Sequence, residues 1–395
     1  MVRTINTIER MFIDFLRVGI CGGEISQETA DNITEENLVQ IYNLAQKHDL
    51  AHIVGDVLFK KKIMPDCDIA KIYEYNLLMS VLRYQNLNFE LQRICDLFEK
   101  NEIPHIPLKG AVMREYYPEP WLRTSCDIDI LVKTEDIEQA ERLFVDCLNY
   151  TKKKRGPHDI SFYSEAEVHI ELHFDLIENH SGKTEKSRRW NAFELENVWD
   201  VSVPAEDKKY QYEMPDEFFY LYHIAHMAKH VEEGGCGIRP FIDSWILDNC
   251  LQYNPDKRLK MIEKSELSAF ISAVKGVCEV WFEGKEHNKN SKMLEEYVIG
   301  SGVYGNLENR VKFYTRAKGG KMKYFIHRMF PSYNIMKYQF SILERYRWLL
   351  PVCYIIRIVK FAGSKKVNRA LSELEISGNA CAEEGETLFD SLGLQ

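Results

Sequence analysis

The chain lacks any charge-free apolar run that reaches the roughly 18 residues needed to cross a bilayer. Its N-terminal apolar stretch, MFIDFLRVGICGG, is broken by Asp14 and Arg17. Neither a transmembrane helix nor a secretory leader is therefore expected. Ten cysteines are present, but no two form a CxxC pair, which argues against a zinc ribbon or a thioredoxin-like motif. Scattered thiols without a leader suit a reducing cytoplasm. No internal repeat or low-complexity segment interrupts the 395 residues, and a composition of 45% apolar and 28% charged residues excludes disorder throughout.

The length allows two or three domains, and charge is unevenly spread among them. From Arg310 to Arg369 there are fifteen Lys and Arg against one acid, Glu344, a local charge of +14. The whole chain carries −9, so the remainder carries −23. Such a split points to a basic surface for an anionic partner.

Periodicity orders the chain. Thr34 followed by Glu36 opens a helical run in which Leu38, Ile41, Leu44 and Ala45 share a face, and a second runs from Ile72 to Lys100 with Leu87, Leu91, Ile94 and Leu97 aligned. From Ile103 the period changes. Ile103–Ile106 and Asp127–Val132 read as strands, Thr134 as the N-cap of a following helix, and Ile160–Tyr163 with Val168–Phe174 as a hairpin. Helices dominate again from Pro215. The expected fold is α+β, a small mixed sheet between N-terminal helices and a C-terminal helical domain. The corresponding boundaries are 1–100 for the N-terminal helices, 101–210 for the sheet-bearing core, 211–376 for the helical domain with its basic segment, and 377–395 for a loose acidic tail.

Within the core region, Asp127 and Asp129 alternate with Ile128 and Ile130. On a strand, residues two apart face the same way, so the two carboxylates project together while the isoleucines enter the core. Carboxylates side by side repel unless a cation sits between them. Mg²⁺, which combines one or two carboxylates with substrate phosphates, answers that need. Glu171, flanked by Ile170 and Leu172, supplies a third carboxylate in the same manner, with Asp159, Glu167 and Asp175 as nearby competitors. Lys109-Gly110 lies where a strand passes into a helix, a place for a phosphate, with Arg123 and Ser125 as further donors. By itself Asp-x-Asp also fits a solvated strand edge; the weight lies in the combination.

That combination, LKG, then R-x-S-x-D-x-D, then an apolar-Glu-apolar strand, resembles the nucleotidyltransferase superfamily with its DNA polymerase β-like fold. Within it, LKGAVMREYYPEPWLRTSCDIDILV resembles the bacterial family of uncharacterised nucleotidyltransferases and the related toxins of abortive-infection systems. The resemblance covers Ile103–Asp175 best and continues more loosely through HIAHMAKH and GIRPFIDSWIL and on into FPSYNIMKYQF and WLLPVCYIIR, so that most of the chain is expected to belong to the family. It implies that Gly110 opens the phosphate loop, that Asp127 and Asp129 bind two Mg²⁺ ions (Mn²⁺ being the alternative), and that Glu171 shares the ion that activates an acceptor hydroxyl. It further implies that His226, Lys229, Arg239 and Asp243 line the nucleotide cleft. Ala111 departs from the Gly or Ser usual after that glycine and removes a hydroxyl contact. The implied activity is Mg²⁺-dependent transfer of an NMP from an NTP such as ATP to a hydroxyl of RNA, tRNA, protein or a small molecule. Two alternatives stay open: a non-catalytic nucleotide sensor, and an interaction protein acting through its basic region.

Three further features carry several readings each. His223, His226 and His230 form one helical stripe, which suits packing, substrate contact or zinc. His169 and His173 flank Glu171 on its own face, where either can orient a metal or the acceptor. The basic segment interleaves Phe313, Tyr314, Tyr324, Phe325 and Phe330 with its cations. It fits single-stranded nucleic acid, peripheral contact with an anionic membrane, or docking on the acidic remainder of the chain.

Overall fold

The apolar spacing that begins at Leu38 does build helix, but in two pieces. The computed structural model describes residues 5–156, 158–176, 197–303, 305–317, 320–362 and 388–394. Its first helix, α1 (Thr7–Cys21), starts at a reciprocal cap between Asn6 and Glu9. The short α2 (Gln27–Asp31) follows. Thr34 caps α3 (Glu35–Lys47) by accepting from the Asn37 N–H at 3.3 Å. The chain then bends through Asp49, whose φ is +54°, before α4 (Ala51–Lys60). The long helix α5 (Asp68–Lys100) turns Leu87, Ile94 and Phe98 inward.

The sheet follows. Its strands are β1 (His105–Pro107), β2 (Asp127–Val132), β3 (Thr151–Arg155), β4 (Asp159–Tyr163) and β5 (His169–His173), in the order β1-β2-β5-β4-β3. The central pair, β2 and β5, is parallel; the other pairs are antiparallel. A turn of helix, α6 (Gly110–Met113), follows β1, and α7 (Ile137–Asp146) follows β2. The fold is thus α+β with a small mixed sheet and helices at both ends, as the period changes indicate.

Local expectations fail in three places. Thr134 does not cap α7: it sits in a 3₁₀ turn, Thr134–Asp136, and its hydroxyl reaches the Phe174 carbonyl at 3.4 Å. Strand β3, sequence TKKKR, was not expected, because every residue in it is exposed and it has no apolar alternation to show. The acidic tail is not loose throughout: Phe389, Leu392 and Leu394 are buried, and residues 388–394 pack against Tyr297 and Phe313. Most of the tail lies outside the described residues.

Two cores hold the fold. The first joins α5, α7 and the sheet through Ile94, Phe98, Ile128, Ile130, Phe144, Phe162 and Leu172, with Phe98 stacked on Phe144. The second and larger is common to the N-terminal helices and to the helices after Pro215, so residues 1–100 have no core of their own. The basic segment divides between the two environments. Val311 and Phe313 of the helix Leu307–Ala317 enter the large core, whereas Met336, Leu343 and Cys353 form a small cluster by themselves. Among the described residues no helix is long and apolar enough to cross a membrane.

Candidate active site

Register builds the site. In the β2–β5 pairing Asp127 lies opposite His169, and Asp129 opposite Glu171. Because alternate residues share a face, these side chains and His173 stand on one side of the sheet, while Ile128, Ile130, Ile170 and Leu172 pack on the other. Ligand atoms of Asp127, His169 and Glu171 all lie within 4.8 Å of one another, as do those of Asp129, Glu171 and His173.

Three carboxylates together leave a charge imbalance that the protein meets with its own cations. Lys109 Nζ lies 3.2 Å from Asp129 Oδ1, and His173 Nε2–H donates to the same oxygen at 2.8 Å. Burial alone would raise the Asp129 carboxyl; Lys109 and His173 outweigh it and hold that group below the usual range. Burial likewise disfavours the Lys109 ammonium, but Asp129 and then Tyr222 and Asp127 keep it charged. At Asp127 the relief from Lys109 and His169 is too small to offset the rest. Burial, then the charge of Asp129, push its carboxyl up to about 6. Its raised value marks the oxygen that a divalent cation would satisfy best. An all-oxygen set with two imidazoles beside it fits a resident divalent ion.

The turn from β1 into α6 is shaped by close approach. A Cβ on Gly110 would lie 3.1 Å from Ser125 Cβ and 3.2 Å from its Oγ, so glycine lets the turn press against the Arg123–Ser125 segment. Lys109 itself adopts φ +44°. The helix into which this turn passes is too short to put a substantial dipole behind a phosphate, because α6 has four residues and runs directly into a 3₁₀ turn, Arg114–Tyr116. The Ala111 and Val112 amides are spent closing the turn on Leu108 and Lys109. Those two amides are therefore not free for a ligand, and Lys109 is the charged side chain that this turn brings to the carboxylates.

All eleven residues singled out in the sequence line one cavity of 450 Å³: Lys109, Gly110, Arg123, Ser125, Asp127, Asp129, Glu171, His226, Lys229, Arg239 and Asp243. They do not all face it with free donors. Arg123 is held by Asp243 through Nε at 2.8 Å and Nη2 at 2.9 Å, and its Nη1 donates to the Thr124 carbonyl. Tyr117 donates to the same Asp243 at 2.7 Å. The Ser125 hydroxyl donates to the Asp127 carbonyl and accepts from Arg114. Arg239 reaches back to Asp49 at 2.5 Å. These residues brace the wall and fix where Lys109 and the carboxylates stand.

The histidine stripe lies on the helix Asp216–Glu232. His226 and His230 face each other, Nε2 to Nε2 at 2.8 Å, so one donates to the other. Burial pushes both down, His230 to about 4. His223 turns instead to the Pro240 carbonyl and Ser244. The three therefore do not converge on a zinc ion; among the described residues the metal-capable groups are those on β2 and β5.

Three contributors escaped the sequence reading. Arg114 is buried, with Nε donating to the Gly110 carbonyl at 2.9 Å and its guanidinium over the Tyr84 ring. Among the described residues Tyr222 presents a buried hydroxyl with no hydrogen-bond partner, and His158 a buried Nδ1 that makes no hydrogen bond and lies 3.7 Å from Asp159 Oδ1, both at the cavity lining. An Arg in MREYY and a His in GPHD carry no pattern that could have marked them.

One family profile, described as uncharacterised nucleotidyltransferase, matches residues 34–283, more than half of the chain. The chain belongs to that family. Neither a curated protein nor a solved structure matches it. The family match ends within the helix Ser268–Glu283, so it spans the carboxylates, the Lys-Gly turn and the histidine helix but not the basic segment. Nucleotidyltransferases commonly work with divalent metal, and the oxygen set on β2 and β5 is of the kind that holds one.

Proposed function

We propose that the protein transfers a nucleoside monophosphate from an NTP to a hydroxyl, using divalent metal held by Asp127, Asp129 and Glu171. Mg²⁺ fits the oxygen donors, and Mn²⁺ takes the same carboxylates. The observation that carries this reading is the convergence of three carboxylates from adjacent parallel strands onto a cavity that also receives Lys109. Divalent metal held by these carboxylates would supply positive charge to the α-phosphate and to the leaving pyrophosphate.

The chain's own groups do the rest. Lys109 supplies a positive charge beside Asp129 and turns to the phosphates as they enter. Glu171 is more open than Asp129, with side-chain exposures of 26% and 6%, so it meets the acceptor and takes the proton of its hydroxyl. A bond forms between that oxygen and the α-phosphorus as the bond to pyrophosphate breaks. The Tyr222, His226 and Met227 wall limits water, which would otherwise compete as acceptor. His173 fixes Asp129 through its Nε2–H.

The test is incubation with each NTP labelled at the α-phosphate, Mg²⁺ and, in turn, RNA including tRNA, protein and small hydroxyl compounds. Label entering one acceptor class with the wild type and not with Asp129→Asn supports the proposal. Nucleotide binding with neither label transfer nor pyrophosphate release would instead make the protein a sensor.

A further inference from the structure

Beyond the family match, the small C-terminal cluster leaves an apolar stripe in solvent. On the helix Leu350–Ala362, Cys353 and Tyr354 turn toward Met336 and Leu343. The opposite side carries Val352, Ile355, Ile356 and Val359, spaced three and four residues apart, with Ile355 62% and Val359 66% exposed. Trp348, one turn earlier, extends the stripe and is 74% exposed. Met322 and Ile326, on the helix Lys321–Met329, are likewise in solvent. Buried aliphatic positions of this spacing are ordinary; exposed ones on consecutive turns need a cover.

Cations adjoin the stripe in the chain, Arg347 beside Trp348 and Lys360 beside Val359, and Arg345, Arg347 and Lys360 rest over the rings of Tyr346, Tyr333 and Phe340. The stretch Arg310–Arg369 contains one acid among its fifteen Lys and Arg. This charge decides among covers. A second copy would bring two such segments face to face and repel. Nucleic acid would match the charge but not the surface, since bases stack on rings and the stripe is mostly aliphatic. A bilayer with anionic headgroups satisfies both: acyl chains take the aliphatic side chains, headgroups take the cations, and Trp348 suits the boundary between them.

We propose that the face formed by Trp348, Val352, Ile355, Ile356 and Val359 seats on an anionic lipid surface, with the helix Leu350–Ala362 lying in the plane of the membrane. The protein then works at that surface without spanning it.

Co-sedimentation of the full chain with phosphatidylcholine vesicles, with and without phosphatidylserine, tests this. Binding is expected with the anionic lipid and should weaken as salt is raised. Arg345→Gln, Arg347→Gln and Lys360→Gln together should lower the partition coefficient roughly a hundredfold, about fivefold for each cation removed. The Ile355→Asp/Val359→Asp variant should not bind, whereas Ile355→Val/Val359→Ile should bind as the wild type does. Unchanged thermal melting confirms that the exposed replacements leave the fold intact. No vesicle binding, equal binding to neutral and anionic vesicles, RNA retention in place of vesicle binding, or self-association abolished by Ile355→Asp/Val359→Asp would each overturn the proposal.

Discussion

Replacing Asp243 by Asn isolates the ion pair that braces the cavity. Its carboxylate accepts two hydrogen bonds from Arg123 and one from Tyr117, and burial is opposed by Arg123 so that the group stays below the usual carboxylate range. Asn keeps the shape but sets an NH₂ against a guanidinium donor and leaves that guanidinium buried without its counter-charge. Breaking a buried pair from one side costs about 3–5 kcal/mol. The three bonds at about 1.5–3 kcal/mol each set a higher ceiling, and Asn retains one acceptor, so a loss of about 4 kcal/mol is expected. Urea unfolding of the wild type, Asp243→Asn, Arg123→Met and the double variant measures it. The double variant should lose at least about 2 kcal/mol less than the two single losses added together. The sign with pH follows from the depressed carboxyl. The pair's contribution is fully present above pH about 4, the unfolded value, and disappears as pH falls through the lower folded value; Asp243→Asn should lack this acid limb. A single loss under about 1 kcal/mol, with additive singles, would refute the claim that Arg123 is held by the protein rather than kept for substrate.

Three further outcomes are expected. Asp127→Asn should abolish transfer yet stabilise the metal-free protein: a carboxyl raised to about 6 costs stability as pH rises from about 4 to about 6, by about 1–3 kcal/mol, and the amide removes that loss. Mg²⁺ should raise the melting temperature of the wild type and leave that of Asp127→Asn unchanged. Lys109→Met should weaken NTP binding and return Asp129 toward ordinary carboxylate behaviour, seen by isothermal titration and by a shifted pH–activity profile. Glu295, buried beneath the Trp281 N–H at 2.6 Å, is pushed by burial up to about 7, so between pH 4.5 and 7 the wild type should lose about 3 kcal/mol more stability than Glu295→Gln.

How much of this was written in the sequence depends on the kind of contact. Asp127, Asp129 and Glu171 were legible because a strand has a period of two: Asp129 and Glu171 each stand between residues that are buried, and Asp127 is two before Asp129. The long helix α5 was legible for the corresponding reason at period 3.6. Strand β3 was not: TKKKR is wholly exposed, and its cations over Tyr163 and Phe174 leave no apolar alternation in the sequence. The break at Asp49 and its bond to Arg239 join residues far apart in the chain, and a charge does not state its partner. Arg123 and Ser125 line the cavity, but their commitment to Asp243 and the Asp127 carbonyl is decided by tertiary packing. Acidic composition misled at 388–394, where three apolar side chains outweigh it.

The docking of Phe389, Leu392 and Leu394 into the same core as α1 has a consequence for biogenesis. The apolar interior stays open on one side until residue 394 has left the ribosome, so a nascent chain several hundred residues long must hold its helices together with that seam unsealed. Stalled or prematurely ended translation products would therefore display greasy surface, and quality-control proteases would find them by it.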